Sequence, residues 1–357
     1  MENTEPLDTL LRQLRETEGE TFIYDRARID EEVKQRTPLL ANLPVKLLTI
    51  FGGILASLFL LGFLLATGLY DSPVGMLVTG LLLLAGSVVV LRLRNDIMVE
   101  TSCVSFHIFG YFLFSLGFSE LVQNEPALYM LLALIALGVL YTAVNSIFTF
   151  LAVLVFCGSL AAIILDLGAY NLLHGYIGIV AGLLTYMSLR EAALISQRPW
   201  FSRLYGPVRM GLVVTLVAAL ALLVHQRLAS ANITHYWLSG LLLVAAVLLV
   251  VSKAVRQAGL ANRRQQVLVY ACCGLVLAPT VLSPAVPGAL LVMLTSFYIG
   301  HRTSFIIGLL ALIYFVILYY YDLQFTLLQK SGLLVLTGAL FTGGYLLLQK
   351  HLKGYEN

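Results

Sequence analysis

The feature that most constrains this chain is a succession of long apolar runs, separated by short polar breaks, that begins near Lys46 and continues to Lys350. The runs fall near 47–69, 73–91, 98–118, 126–142, 145–165, 169–189, 209–225, 235–252, 266–281, 284–299, 303–321 and 327–349. A helix needs about 20 apolar residues to cross a bilayer. Only helices and closed barrels satisfy every backbone hydrogen bond there. The alternating pattern of barrel strands is absent, so the runs predict an all-α polytopic membrane helical bundle of about 12 (10–12) transmembrane helices. Composition closes the soluble alternative. Of the 357 residues 59% are hydrophobic and 11% charged, with a mean hydropathy of +0.90, whereas soluble domains carry about 25% charged residues.

The charges then orient the bundle. With the N-terminus on the cytoplasmic side, the inner segments hold 20 of the 22 basic residues, and the outer loops hold only Arg227 and Lys330. Loop lysines and arginines favour the cytoplasmic face, so both termini are expected inside. The segments 266–281 and 284–299 are the weakest spans, because both are short and Pro279, Pro284 and Pro287 crowd their turn. Two short tilted helices or one re-entrant hairpin fit them, and either keeps the orientation. Short proline-interrupted segments also mark binding sites in some transporters.

Residues 1–45 form the only long polar stretch. Leu7, Leu10, Leu11 and Leu14 fall on one helical face, and a second short helix is expected from Tyr24 to Gln35. This cytoplasmic helical hairpin precedes a transmembrane domain at 46–350 and a cytoplasmic tail at 351–357. Ten of the 19 acidic residues lie in its first 32 positions. That rules out the basic and then apolar opening of a signal peptide, and disfavours an interfacial helix.

The chemistry that is missing narrows the function. No phosphate-cradling G-x-x-x-x-G-K-[ST] loop occurs, nor H-E-x-x-H or G-x-S-x-G. The six histidines are scattered, and Cys103, Cys157, Cys272 and Cys273 lie in apolar runs without a C-x-x-C. No catalytic residue, metal site, cofactor, nucleotide or nucleic-acid partner is expected. The bilayer itself is the one certain partner.

Ionisable groups at membrane depth are costly, and so they mark functional candidates. Asp96, Glu100, Cys103 and His107 share one helical face of the third run. A carboxylate below an imidazole can pass protons or hold a cation, so Asp96, Glu100 and His107 form a candidate polar path. The structural alternative pairs Glu100 with headgroups, Arg92 or Arg94, and His107 with a neighbouring hydroxyl or carbonyl. Asp166, Asn171, His174 and Tyr176 are expected to close the turn between the fifth and sixth runs. Gly175, Gly178 and Gly182 have the small-residue spacing that allows close helix packing. At the outer turn before the last run, Tyr321, Asp322 and Lys330 form a candidate outer-face site, where Lys330 meets Asp322 or an anionic ligand.

The stretch from Tyr319 to Ser331, Tyr-Tyr-Tyr-x-Leu-x-x-Thr-Leu-Leu-x-Lys-Ser, resembles the C-terminal signature of a bacterial membrane family, domain of unknown function 4401. The short polar helices followed by a many-spanning block are similar to that family as well. The resemblance implies a bacterial inner (plasma) membrane protein and brings no activity or catalytic residues with it. Two functions follow from the residues: a small-solute or lipid transporter without its own ATPase, or a non-transporting scaffold whose residues 1–45 dock another membrane or envelope protein. An intramembrane enzyme on a lipid substrate has no catalytic set to support it. A polar cavity near the midplane would favour transport, and fully sealed side chains would favour the scaffold.

Overall fold

The computed structural model describes residues 67–93, 97–142, 145–197, 199–225, 235–257 and 277–322, with isolated positions elsewhere. Among them the helices are α1 (Pro73–Leu93), α2 (Ile97–Val122), α3 (Glu125–Thr142), α4 (Ser146–Asp166) and α5 (Leu172–Leu189), then the short α6 (Glu191–Gln197). They continue as α7 (Pro199–Val224), α8 (Trp237–Gln257), α9 (Ala285–Ile299) and α10 (Arg302–Asp322). Two 3₁₀ turns, Leu69–Asp71 and Ala278–Leu282, complete the set, and no strand occurs among the described residues.

Eight of these helices (α1–α5, α7, α8 and α10) are long and apolar enough to cross a membrane, and α9 is shorter at 15 residues. Of the twelve expected spans, 327–349 lies largely outside the described residues and 47–69 and 266–281 are described only in part, while of the expected hairpin at 1–45 only Arg26 is described. The clearest difference from expectation is α7. The run was placed at 209–225, yet the helix starts ten residues earlier, at Pro199. Proline is favoured at the first helical position, where no backbone donor is lost. Arg203, ahead of the expected run, and Arg209, at its first position, are therefore both well inside the helix.

Local chemistry sets the turns. Asn145 caps α4 by accepting the Ile147 amide at 3.1 Å. Gly168 and Gly300 take the left-handed conformation at the ends of α4 and α9, which costs glycine little. The turns alternate between two ends. One end gathers Glu100, Asn145, Arg190, Arg203 and His301 and is rich in cations. The other carries Asp71, Glu120, Glu125 and Asp166. The Ala278–Leu282 turn packs on the start of α8, where the backbone of Val281 sits against Gly240. It thus lies at the acidic end, level with the starts of α5 and α8.

Packing divides the bundle. The largest apolar cluster joins α4, α5, α7, α8, α9 and α10 through residues such as Ile177, Leu216, Leu220, Leu243 and Leu291. Two smaller clusters hold α1–α4 together, one around Phe148 and Ala152 and one around Phe114 and Leu128. Helices α5 and α7 are central, with 56% and 50% of their apolar windows buried, whereas α3 and α10 are peripheral at 22%. The outward faces stay apolar: Leu82, Met130 and Ile179 are all exposed. Water would penalise a surface of that kind, and hydrocarbon matches it.

Candidate functional site

The polar layer built around His107 lies between α1, α2 and α4. His107 is about 15 Å along α2 from its start, at 1.5 Å per residue, and has no exposed surface. Its Nδ1 meets Ser87 Oγ of α1 at 2.8 Å, and Ser87 Oγ also donates to the Leu84 carbonyl at 2.9 Å. The ring packs edge-on to Tyr111 at 5.0 Å and against Phe148 of α4 at 4.4 Å. His107 Nε2 and the Tyr111 hydroxyl are buried without a hydrogen-bond partner. With the Ser87 proton on Leu84, Nδ1–H is the donor to Ser87, and Nε2 is a bare lone pair without a donor.

Glu100 stands two turns nearer the cation-rich end. Its Oε1 accepts Asn145 Nδ2 at 2.7 Å, so the residue that caps α4 is one partner, and Arg94 lies outside the described residues. Asp96 lies outside the described residues. Beside this layer a pocket of about 340 Å³ opens between α1 and α2, lined by Leu83, Gly86, Ser87, Ser102, Cys103 and Phe106 among others. Its walls are chiefly apolar, and the Ser87 side chain joins it to His107.

The other expected positions have simpler roles. His174 Nδ1 meets Ser239 Oγ at 3.1 Å and Tyr176 donates to the Cys157 carbonyl at 2.9 Å, tying the start of α5 to α8 and α4. Asp166 and Asn171 flank the same turn. Tyr321 is exposed and contacts Tyr320 edge-on. The Asp322 side chain and Lys330 lie outside the described residues, so their pairing does too. A Cβ on Gly175 or Gly182 would meet open space, and one on Gly178 would meet only the Leu242 side chain. Close backbone approach occurs instead between α1 and α2. There a Cβ on Gly80 would come within 2.6 Å of the Phe114 nitrogen, and one on Gly117 within 2.6 Å of the Leu77 nitrogen.

Sequence reasoning missed Arg209. Cations ahead of an apolar run read as a loop, and the only contrary signal was Pro199-Trp200 as a helix start. The side chain is 4% exposed, with its guanidinium carbon 5.6 Å from the Tyr205 ring centroid. Near it, His301 accepts the Ser304 amide on Nδ1 at 3.2 Å. Burial, and then the Arg209 charge, hold the His301 pKa below its ordinary value. No group of three or more His, Cys, Asp or Glu able to hold a metal occurs among the described residues.

A family model described as Domain of unknown function (DUF4401) matches residues 42–351. No curated protein and no solved structure matches the chain.

Proposed function

The chain belongs to the DUF4401 family, and from there we propose that it is a transporter of a small solute or lipid, without an ATPase of its own, in a bacterial inner membrane. The observation that carries this reading is the pair of orphaned polar atoms, His107 Nε2 and the Tyr111 hydroxyl, buried at mid-depth, with Ser87 linking His107 to the chiefly apolar pocket. Leaving a buried polar group unpaired costs about 1–3 kcal/mol, which a static bundle has no reason to retain. A polar path uses such groups, with Glu100 at its mouth and His107 as the relay. The cation-rich end then faces the cytoplasm, as do both termini.

A scaffold is the second reading, favoured by the Glu100–Asn145 and His107–Ser87 bonds, which seal half of this layer. In that case residues 1–45 dock an envelope partner. Neither reading gives the chain catalytic chemistry.

Cys103 separates the two. It lies one turn before His107, is 4% exposed and lines the pocket. With Cys157, Cys272 and Cys273 replaced by alanine, a membrane-impermeant thiosulfonate reagent should label Cys103 in intact vesicles if the path opens to water. Labelling that requires denaturation would refute the transporter and leave the scaffold.

A further inference from the structure

A second buried polar layer lies away from His107, where α5, α6, α7 and the α9–α10 turn meet at the cation-rich end. At its centre Arg209 is buried, and its Nε and Nη1 have no hydrogen-bond partner. Stacking on Tyr205 attracts the cation but leaves these N–H groups unused. The Tyr205 hydroxyl donates to the Met187 carbonyl at 3.2 Å and also faces the guanidinium, which leaves Nε and Nη1 unpaired. The next residue, Ser188, is 2% exposed, and its Oγ also lacks a partner. Because His301 Nδ1 accepts a backbone amide, its neutral ring carries the proton on Nε2, a further donor.

Among the described residues the layer therefore holds a full positive charge and several donors, with two guanidinium nitrogens and the Ser188 hydroxyl left unpaired. Glu191, whose charge reaches Tyr205, bonds neither orphaned arginine nitrogen. A water molecule could satisfy a hydrogen bond there but would leave the charge uncompensated, and an uncompensated buried charge is far costlier than an unpaired dipole.

We propose that Arg209, Ser188 and His301 form a binding site for an anionic oxygen group, a phosphate or carboxylate, entered from the cation-rich end. Guanidinium N–H groups make strong charge-assisted bonds to such oxygens, and a hydroxyl and an imidazole N–H complete the donor set. An anionic lipid headgroup and a free small anion share this chemistry. The site stands apart from the His107 path, and its test reads binding rather than transport.

Full-length protein in neutral detergent is titrated with inorganic phosphate. In parallel it is placed in nanodiscs of phosphatidylcholine with or without phosphatidylglycerol, with the thermal midpoint and the lipid retained in native mass spectrometry as readouts. Stabilisation by phosphate in detergent identifies a free anion, and stabilisation by phosphatidylglycerol alone identifies a headgroup. In either case Arg209→Gln should weaken binding roughly tenfold or more, the scale of one charged hydrogen bond. Should that variant fail to fold, Arg209→Lys and Ser188→Ala should each weaken binding severalfold, and unchanged binding in both would overturn the site. Glu191→Gln should leave binding equal or tighter. A loss in that variant would show that Glu191 neutralises Arg209 and would overturn the proposal, as would a wild type that responds to neither probe.

Discussion

The two halves of this bundle bury polarity in different ways. In α1–α4 the buried group is neutral: His107 shares a hydroxyl with Ser87 inside a thin layer closed by glycine contacts. In α5–α10 a neutral pair, His174 with Ser239, is buried as well, but a charge joins it: Arg209 sits beside the larger apolar core with two nitrogens unpaired. A neutral ring can be half satisfied by one neighbour at modest cost, whereas a cation at that depth requires a counter-charge. On the proposed reading the first half is a polar path that runs past His107. The second reads as a seat for a ligand that the chain does not itself supply.

The comparison breaks most easily at Arg209. Arg209→Met should raise the unfolding free energy in anion-free detergent by about 1–4 kcal/mol, since an uncompensated charge gives way to packed carbon. It should also abolish stabilisation by added anion. A destabilised variant in chemical unfolding would put Arg209 on the same footing as His107. The next largest effect belongs to the first half. Gly117→Leu should cost about 1–3 kcal/mol by forcing α1 and α2 apart, while Gly182→Leu should change stability by less than about 0.5 kcal/mol. Equal losses on thermal unfolding would remove the distinction between the two glycine sets. Ser87→Ala should cost about 0.5–1.5 kcal/mol, because it removes one hydrogen bond to the imidazole; the same unfolding assay decides it.

The smallest effect is in pH. Folding lowers the His301 pKa below its ordinary 6.5, so the unfolded chain binds more protons there. Its contribution to stability is complete above that value and is lost as pH falls through 6.5 towards the folded pKa. Arg209→Gln should shallow this loss without removing it, because burial is the larger cause. An unchanged slope in unfolding midpoints between pH 7.5 and 5.5 would separate His301 from Arg209.

Much of the architecture was legible because hydrocarbon imposes one rule on every span. The run at 73–91 is the helix Pro73–Leu93, that at 145–165 is Ser146–Asp166, and that at 303–321 is Arg302–Asp322. The rule failed at α7, where Arg203, Pro207 and Arg209 interrupt hydropathy although the helix continues through them. Helical spacing placed His107 and Glu100 on one face, but their partners Ser87 and Asn145 depend on the register between helices. Glycine spacing within α5 likewise suggested close packing, whereas the contact between Gly80 and the Phe114 backbone joins residues far apart in sequence. Periodicity along one helix reports what that helix can offer, and only its neighbours decide what is used.

Everything proposed for either layer depends on the bundle crossing the bilayer with its cation-rich end in the cytoplasm. Paired alkaline phosphatase and green fluorescent protein fusions ending after Gly168, at the acidic end, and after Gln197, at the cation-rich end, test this directly. The account predicts phosphatase activity without fluorescence at Gly168 and fluorescence without phosphatase activity at Gln197. The same compartment for both fusion sites, or the reverse assignment, would contradict it.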